Sequence, residues 1–183
     1  MHPGTQDAAT ERFAGVDKAG KQQLARTVTF GLPGAAQTLS LDDVRDLLAL
    51  YGDISANQLR AHFIDFLDAV IPTAERLGLR LCCHPDDPPF PLLGLPRVVS
   101  TEADYRTLLD AVDSTANGVT LCSGSLGVRA DNDLPGMMQR LGDRVHFLHL
   151  RNVSTSGKEL FCSFYEDEHL AGNTDMVALL AAV

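Results

Sequence analysis

Three side chains able to bind a metal ion close three separate apolar runs of this sequence: His84 after 79–83, Cys122 ending 118–122, and His149 within 145–150. Mixed imidazole and thiolate donors suit Fe, Zn or Mn-type ions, and ligand softness does not choose among them. A structural zinc site takes its ligands from closer, local spacings, so donors this far apart point to a catalytic site with open positions. A single His or Cys at a strand end is commonly a packing residue, and the pattern alone leaves packing and ligation in competition. What favours ligation is coincidence, because the carboxyl ends of parallel strands share one face of an α/β fold. On the third run His149 shares a face with Val145 and Phe147, while His146 points the other way and reads as structural.

The loops after two of these donors are unusual. His84-Pro85-Asp86-Asp87-Pro88-Pro89 continues to Pro91 and Pro96, and the prolines make a stiff lip rather than a floppy lid. Asp86 and Asp87 could bind substrate hydroxyls or orient an imidazole, or they could be turn-forming Asp before Pro. After Cys122, Ser123-Gly124-Ser125-Leu126-Gly127 permits close approach of the backbone to a ligand. It lacks the glycine two before the serine that a hydrolase nucleophile elbow needs, and it matches no Walker or dinucleotide loop.

The elements that must position these residues follow from periodicity. Residues 1–10 read as a frayed polar start, followed by mixed helix to about Phe30 and a turn at Gly31-Leu32-Pro33-Gly34. Ser40 caps a helix with Leu41, Val44, Leu47, Leu48 and Tyr51 on its apolar face. Ser55 and Gln58 form a capping box for a longer helix that Gly78 stops, with a kink expected at Pro72. Helices are expected over 102–116, from an Asp133 cap with Pro135 in its first turn, and near 174–182, with polar loops elsewhere. Strands alternating with helices imply parallel βαβ units, an α/β fold.

Composition narrows the function. A net charge of −9 argues against a nucleic-acid surface, which needs clustered Lys and Arg. No apolar run approaches the ~20 residues of a membrane span, and the first residues do not resemble a signal peptide. The four cysteines include no CxxC pair, so a cytoplasmic chain without a disulfide framework is expected.

The strings HPDDPP (84–89), LLGLPR (92–97), VST (99–101), ANG (116–118), LCSGSLGVRADNDL (121–134), HLRNV (149–153) and HLAG (169–172) resemble the mannonate dehydratase family, and the likeness runs over 11–183. The resemblance implies a xylose-isomerase-like (β/α)8 TIM barrel, here partial with three βα units, after a poorly matched 1–10. It implies dehydration of D-mannonate to 2-keto-3-deoxy-D-gluconate in hexuronate catabolism, using Fe(II) or Mn(II). His84, Cys122 and His149 match three of the family's metal ligands. Asp86, Asp87 and Arg151 are candidates for substrate contact, and the motifs name no acid or base. A homo-oligomer is compatible with this reading. A further Asp ligand and a catalytic tyrosine are expected beyond Val183. Three strands cannot close a barrel of eight, so open edges, poor solubility, weak metal retention and no turnover by this chain alone are expected. The alternatives are a non-catalytic remnant, or another metal-dependent sugar isomerase on the same barrel.

Overall fold

Capping explains where the helices begin. In a computed structural model describing residues 3–29, 39–157, 160 and 162–183, Ser40 and Ser55 each accept from the backbone N–H three residues on, and Asp43 and Gln58 reciprocate. The chain divides into two compact units, Met1–Ile54 and Ser55–Val183.

The first unit holds α1 (Pro3–Ala14), α2 (Lys18–Thr29) and α3 (Leu41–Tyr51). The polar start is therefore helical from Pro3 rather than frayed. Its Ala, Gln and Glu residues favour helix without any amphipathic stripe to announce it. The α3 helix buries no residue, and Leu41, Leu47 and Tyr51 of its expected apolar face are exposed. The turn expected at residues 31–34 lies outside the described residues.

The second unit opens with α4 (Ala56–Arg76), which runs through Pro72 unbroken and buries Leu67, Ile71 and Ala74. It ends as Gly78 predicts. Gly78 adopts φ +66°, its N–H bonds Glu75 O, and the Leu79 N–H reaches back to Ala74 O. This is a Schellman stop, which needs a residue tolerant of positive φ.

Then come β1 (Leu81–Cys83), α5 (Glu102–Ala111), β2 (Asn117–Cys122), α6 (Ser123–Gly127), α7 (Leu134–Leu141) and β3 (Val145–His149). The strands form one parallel sheet in the order β1-β2-β3, as the alternation of elements requires. β2 is buried along its whole length, whereas Phe147 on β3 is 57% exposed. Leu121, Leu126, Met137 and Leu179 pack with Ile71 and Tyr105 in the core. Tyr105 is almost fully buried, and burial raises its phenol well above the ordinary tyrosine value. Its single hydroxyl proton faces two acceptors, Thr120 O at 3.1 Å and Cys83 O at 3.3 Å, which lie on β2 and β1. Tyr105→Phe is expected to lower stability by about 1–2 kcal/mol, read from the urea midpoint, because those carbonyls lose a donor they cannot replace with water.

Two elements lie where only loops were expected. The short α6 begins directly after Cys122. A two-stranded antiparallel hairpin, β4 (Asn152–Thr155) with β5 (Phe164–Asp167), follows β3 before α8 (Met176–Ala181). No described helix is long and apolar enough to cross a membrane.

Candidate metal centre

The parallel register brings the donors to one edge. Cys122 and His149 end their strands as direct partners, and His84 follows the last residue of β1. His149 Nδ1 lies 3.4 Å from Cys122 Sγ and 3.2 Å from His84 Nε2, and the three candidate donor atoms all fall within 4.8 Å of one another. Two ligands bound tetrahedrally at about 2.1–2.3 Å from a first-row divalent ion stand about 3.4–3.7 Å apart, so the Cys122–His149 spacing matches and the His84–His149 spacing is slightly shorter. Among the described residues no other such group of His, Cys, Asp or Glu occurs.

Two of the donors are held by partners behind them. His84 Nδ1 sits 2.8 Å from Pro85 O, which fixes Nδ1 as the protonated nitrogen and leaves Nε2 free to ligate. Cys122 is fully buried, the N-cap of α6, and its sulfur accepts from Ser125 N at 3.5 Å and Ser125 Oγ at 3.3 Å. The neighbouring thiol is different. Burial, with lesser contributions from Asp86 and Cys82, pushes Cys83 up to about 12, and its sulfur turns to His84 O.

His146 is turned away, as strand parity requires. A register shift in the β2–β3 pairing falls at this residue, and its ring packs where a Gly118 side chain would sit, with Nε2 2.9 Å from Thr115 O.

Of the candidate substrate contacts, Asp87 and Arg151 join the donors and Asp86 does not. The Asp86 carboxylate accepts from Val99 N and Ser100 Oγ, which fastens the proline lip to the start of α5. Asp87 Oδ2 accepts from Arg151 Nη1 at 2.7 Å and lies 3.1 Å from Ser125 Oγ, where it competes with the Cys122 sulfur for the hydroxyl. Arg151 also pairs with Glu166 of β5 at 2.6 Å. Burial works to lower the Arg151 guanidinium, but bonding to Asp87 and the charges of Asp87 and Glu166 outweigh it, so the group is held in its charged form.

Arg151 lies across Gly124, where an added Cβ would meet the arginine side chain at 2.3–2.7 Å. Here glycine is required for space. Ser123 Oγ fixes the backbone of the same residue, donating to Arg151 O at 2.6 Å and accepting from its N–H at 3.0 Å.

Sequence reasoning missed Ser123, Ser125 and Glu166. Ser125 stands three residues after Cys122, the spacing of a helix-capping contact, and that was a usable signal. Glu166 gives no local signal, since it reaches Arg151 only through the hairpin. A cavity of about 700 Å3, lined by Arg129, Asp133, Thr155, Asn173 and Asp175 among others, contains none of the three donors. The donor cluster and this cavity are therefore separate features.

Residues 4–183 match the family described as D-mannonate dehydratase (UxuA). Mannonate dehydratase 1 of Agrobacterium fabrum is 52% identical over 177 residues, covering 97% of this chain and 44% of that protein. The mannonate dehydratase of Rhizobium meliloti is 50% identical over the same shares. A crystal structure of mannonate dehydratase from Streptococcus suis serotype 2 superposes with a TM-score of 0.71 at 33% identity, over 81% of this chain and 43% of that one. The chain thus spans less than half the length of these relatives. With its His-Cys-His cluster at the ends of three parallel strands, it belongs to the D-mannonate dehydratase family.

Proposed function

We propose that this chain carries the metal-site segment of a mannonate dehydratase, which converts D-mannonate to 2-keto-3-deoxy-D-gluconate and water in cytoplasmic hexuronate breakdown. Fe(II) or Mn(II) is the proposed ion, and the parallel sheet is read as part of a xylose-isomerase-like (β/α)8 barrel. The observation that carries the reading is the convergence of His84, Cys122 and His149 in a chain of this family.

In the reaction the proton on C2 is removed, the C3–O bond breaks with its oxygen leaving as water, and the resulting enol becomes the ketone as C3 gains a proton. Negative charge builds next to the substrate carboxylate as the first proton leaves. A divalent ion held by His84 Nε2, Cys122 Sγ and His149 Nδ1 would supply Lewis-acid stabilisation of that charge.

Arg151, held cationic and placed beside Asp87, is suited to receive the substrate carboxylate. Asp87, with one oxygen bonded by Arg151 and facing Ser125, is suited to accept from a substrate hydroxyl through the other.

The test is incubation of the Mn(II)- or Fe(II)-loaded protein, in its full-length form, with D-mannonate, following the 2-keto-3-deoxy acid. Product that depends on the ion and disappears after chelation is expected. A metal-loaded protein that leaves D-mannonate untouched would sink the assignment.

A further inference from the structure

The Ser125 hydroxyl faces two acceptors with a single proton. Its Oγ lies 3.3 Å from Cys122 Sγ and 3.1 Å from Asp87 Oδ2, and its backbone N–H points at the same sulfur from 3.5 Å. Ser125 is fully buried, so no water competes for the hydroxyl. One O–H serves one acceptor at a time. Asp87 Oδ2 already accepts a charge-assisted bond from Arg151 Nη1 at 2.7 Å, stronger than a neutral hydroxyl provides. That bond weakens the carboxylate's claim on the hydroxyl, whose single proton is shared between Cys122 Sγ and Asp87 Oδ2.

We propose that Ser125 is a positioning residue for the metal: its hydroxyl and backbone amide together orient the Cys122 thiolate and limit how much electron density it donates to the ion, with Asp87 competing for the same hydroxyl. The proposal rests on reading His84, Cys122 and His149 as ligands. Donors aimed at a ligating sulfur draw charge away from the metal bond and fix the direction of the sulfur lone pairs. Ser125 touches neither the substrate nor the ion in this role, so its effect is read at the metal bond itself.

Co(II) bound to a thiolate gives a sulfur-to-metal charge-transfer band whose energy falls as the sulfur becomes more electron-rich. The protein in its full-length form, titrated with Co(II), is expected to show this band. Ser125→Ala removes one donor, so the band moves to longer wavelength and Co(II) affinity falls by about tenfold, the usual scale for a lost partner behind a ligand. Asp87→Ala frees the hydroxyl entirely for sulfur and moves the band to shorter wavelength. Ser125→Thr keeps the hydroxyl and returns the band to its original place.

Absence of any band in the unsubstituted full-length protein removes the ligand assignment and this inference with it. A band that Ser125→Ala leaves unmoved retains the ligands and overturns the role of Ser125. Shifts in the same direction for Ser125→Ala and Asp87→Ala overturn it too, since the hydroxyl would then act through Asp87. Should circular dichroism show Ser125→Ala unfolded, Asp87→Ala at its more exposed position decides, and a shift to longer wavelength or none overturns the proposal.

Discussion

In the full-length form, Cys122→Ser and His149→Ala are each expected to reduce Mn(II) or Fe(II) retained after gel filtration to a small fraction of the unsubstituted level. Protein–metal binding energies on the order of 12 kcal/mol spread over about four ligands give about 3 kcal/mol for each, or a hundredfold or more in affinity. Serine at 122 keeps an acceptor of similar shape but exchanges a thiolate for a hydroxyl that does not ionise at neutral pH, so the loss tests the sulfur rather than the packing.

Two neighbours serve as controls. Cys83→Ala should leave metal content unchanged, because that thiol turns to His84 O and burial, raising it to about 12, keeps it protonated at neutral pH. His146→Ala should also leave it unchanged, since the His146 ring packs on Gly118 and bonds Thr115 O. Metal content measured by mass spectrometry separates the outcomes. Retention by either ligand variant at the unsubstituted level would remove that residue from the site.

The same residues show how far sequence carries. His149 and His146 are separable from the sequence because alternate residues of a strand face opposite ways. The register shift at His146 could not be read, since it depends on how β3 pairs with β2. The parallel sheet was legible because each strand is an apolar run bounded by turn residues, and its middle member is buried throughout.

The β4–β5 hairpin was not legible. Its strands have four residues each, and β4 begins at Asn152, only three positions after β3 ends, so HLRNV reads as a strand running into a loop. The α6 helix hides in Ser-Gly-Ser-Leu-Gly, whose two glycines disfavour helix, and it forms where Ser125 N bonds the Cys122 sulfur. Both omissions bear on the site. The helix supplies Ser125 and the hairpin supplies Glu166, so the donors were legible while the groups that hold them in place were not.

Asn152→Ala is expected to be the most destabilising of the substitutions considered outside the metal ligands, by about 3 kcal/mol and roughly 10 °C in melting temperature. Asn152 is buried and uses its amide fully. Nδ2 donates to His169 O at 2.8 Å and Thr174 O at 2.9 Å, and Oδ1 accepts from the N–H groups of Val153 and Thr174, each at 3.0 Å. Gly172 lets this amide lie against the backbone, where a Cβ would meet it at 2.4 Å.

Alanine leaves buried backbone donors and acceptors without partners, and the segment carrying Arg151 loses its anchor. Asn173→Ala, which removes only an exposed bond to Thr155 Oγ1, should change stability by less than about 0.5 kcal/mol. Asn152→Asp sharpens the test. It keeps an acceptor for Val153 and Thr174 but places a second oxygen against two carbonyls, which disfavours the anion and raises the folded-state pKa of the introduced carboxyl. The folded form then binds more protons than the unfolded one, so stability falls as pH rises above the unfolded value of about 3.9 and recovers as pH is lowered. A melting temperature for Asn152→Asp that is independent of pH, relative to the unsubstituted chain, would mean that the carboxylate has turned away from those carbonyls and that the brace behind Arg151 does not depend on this amide.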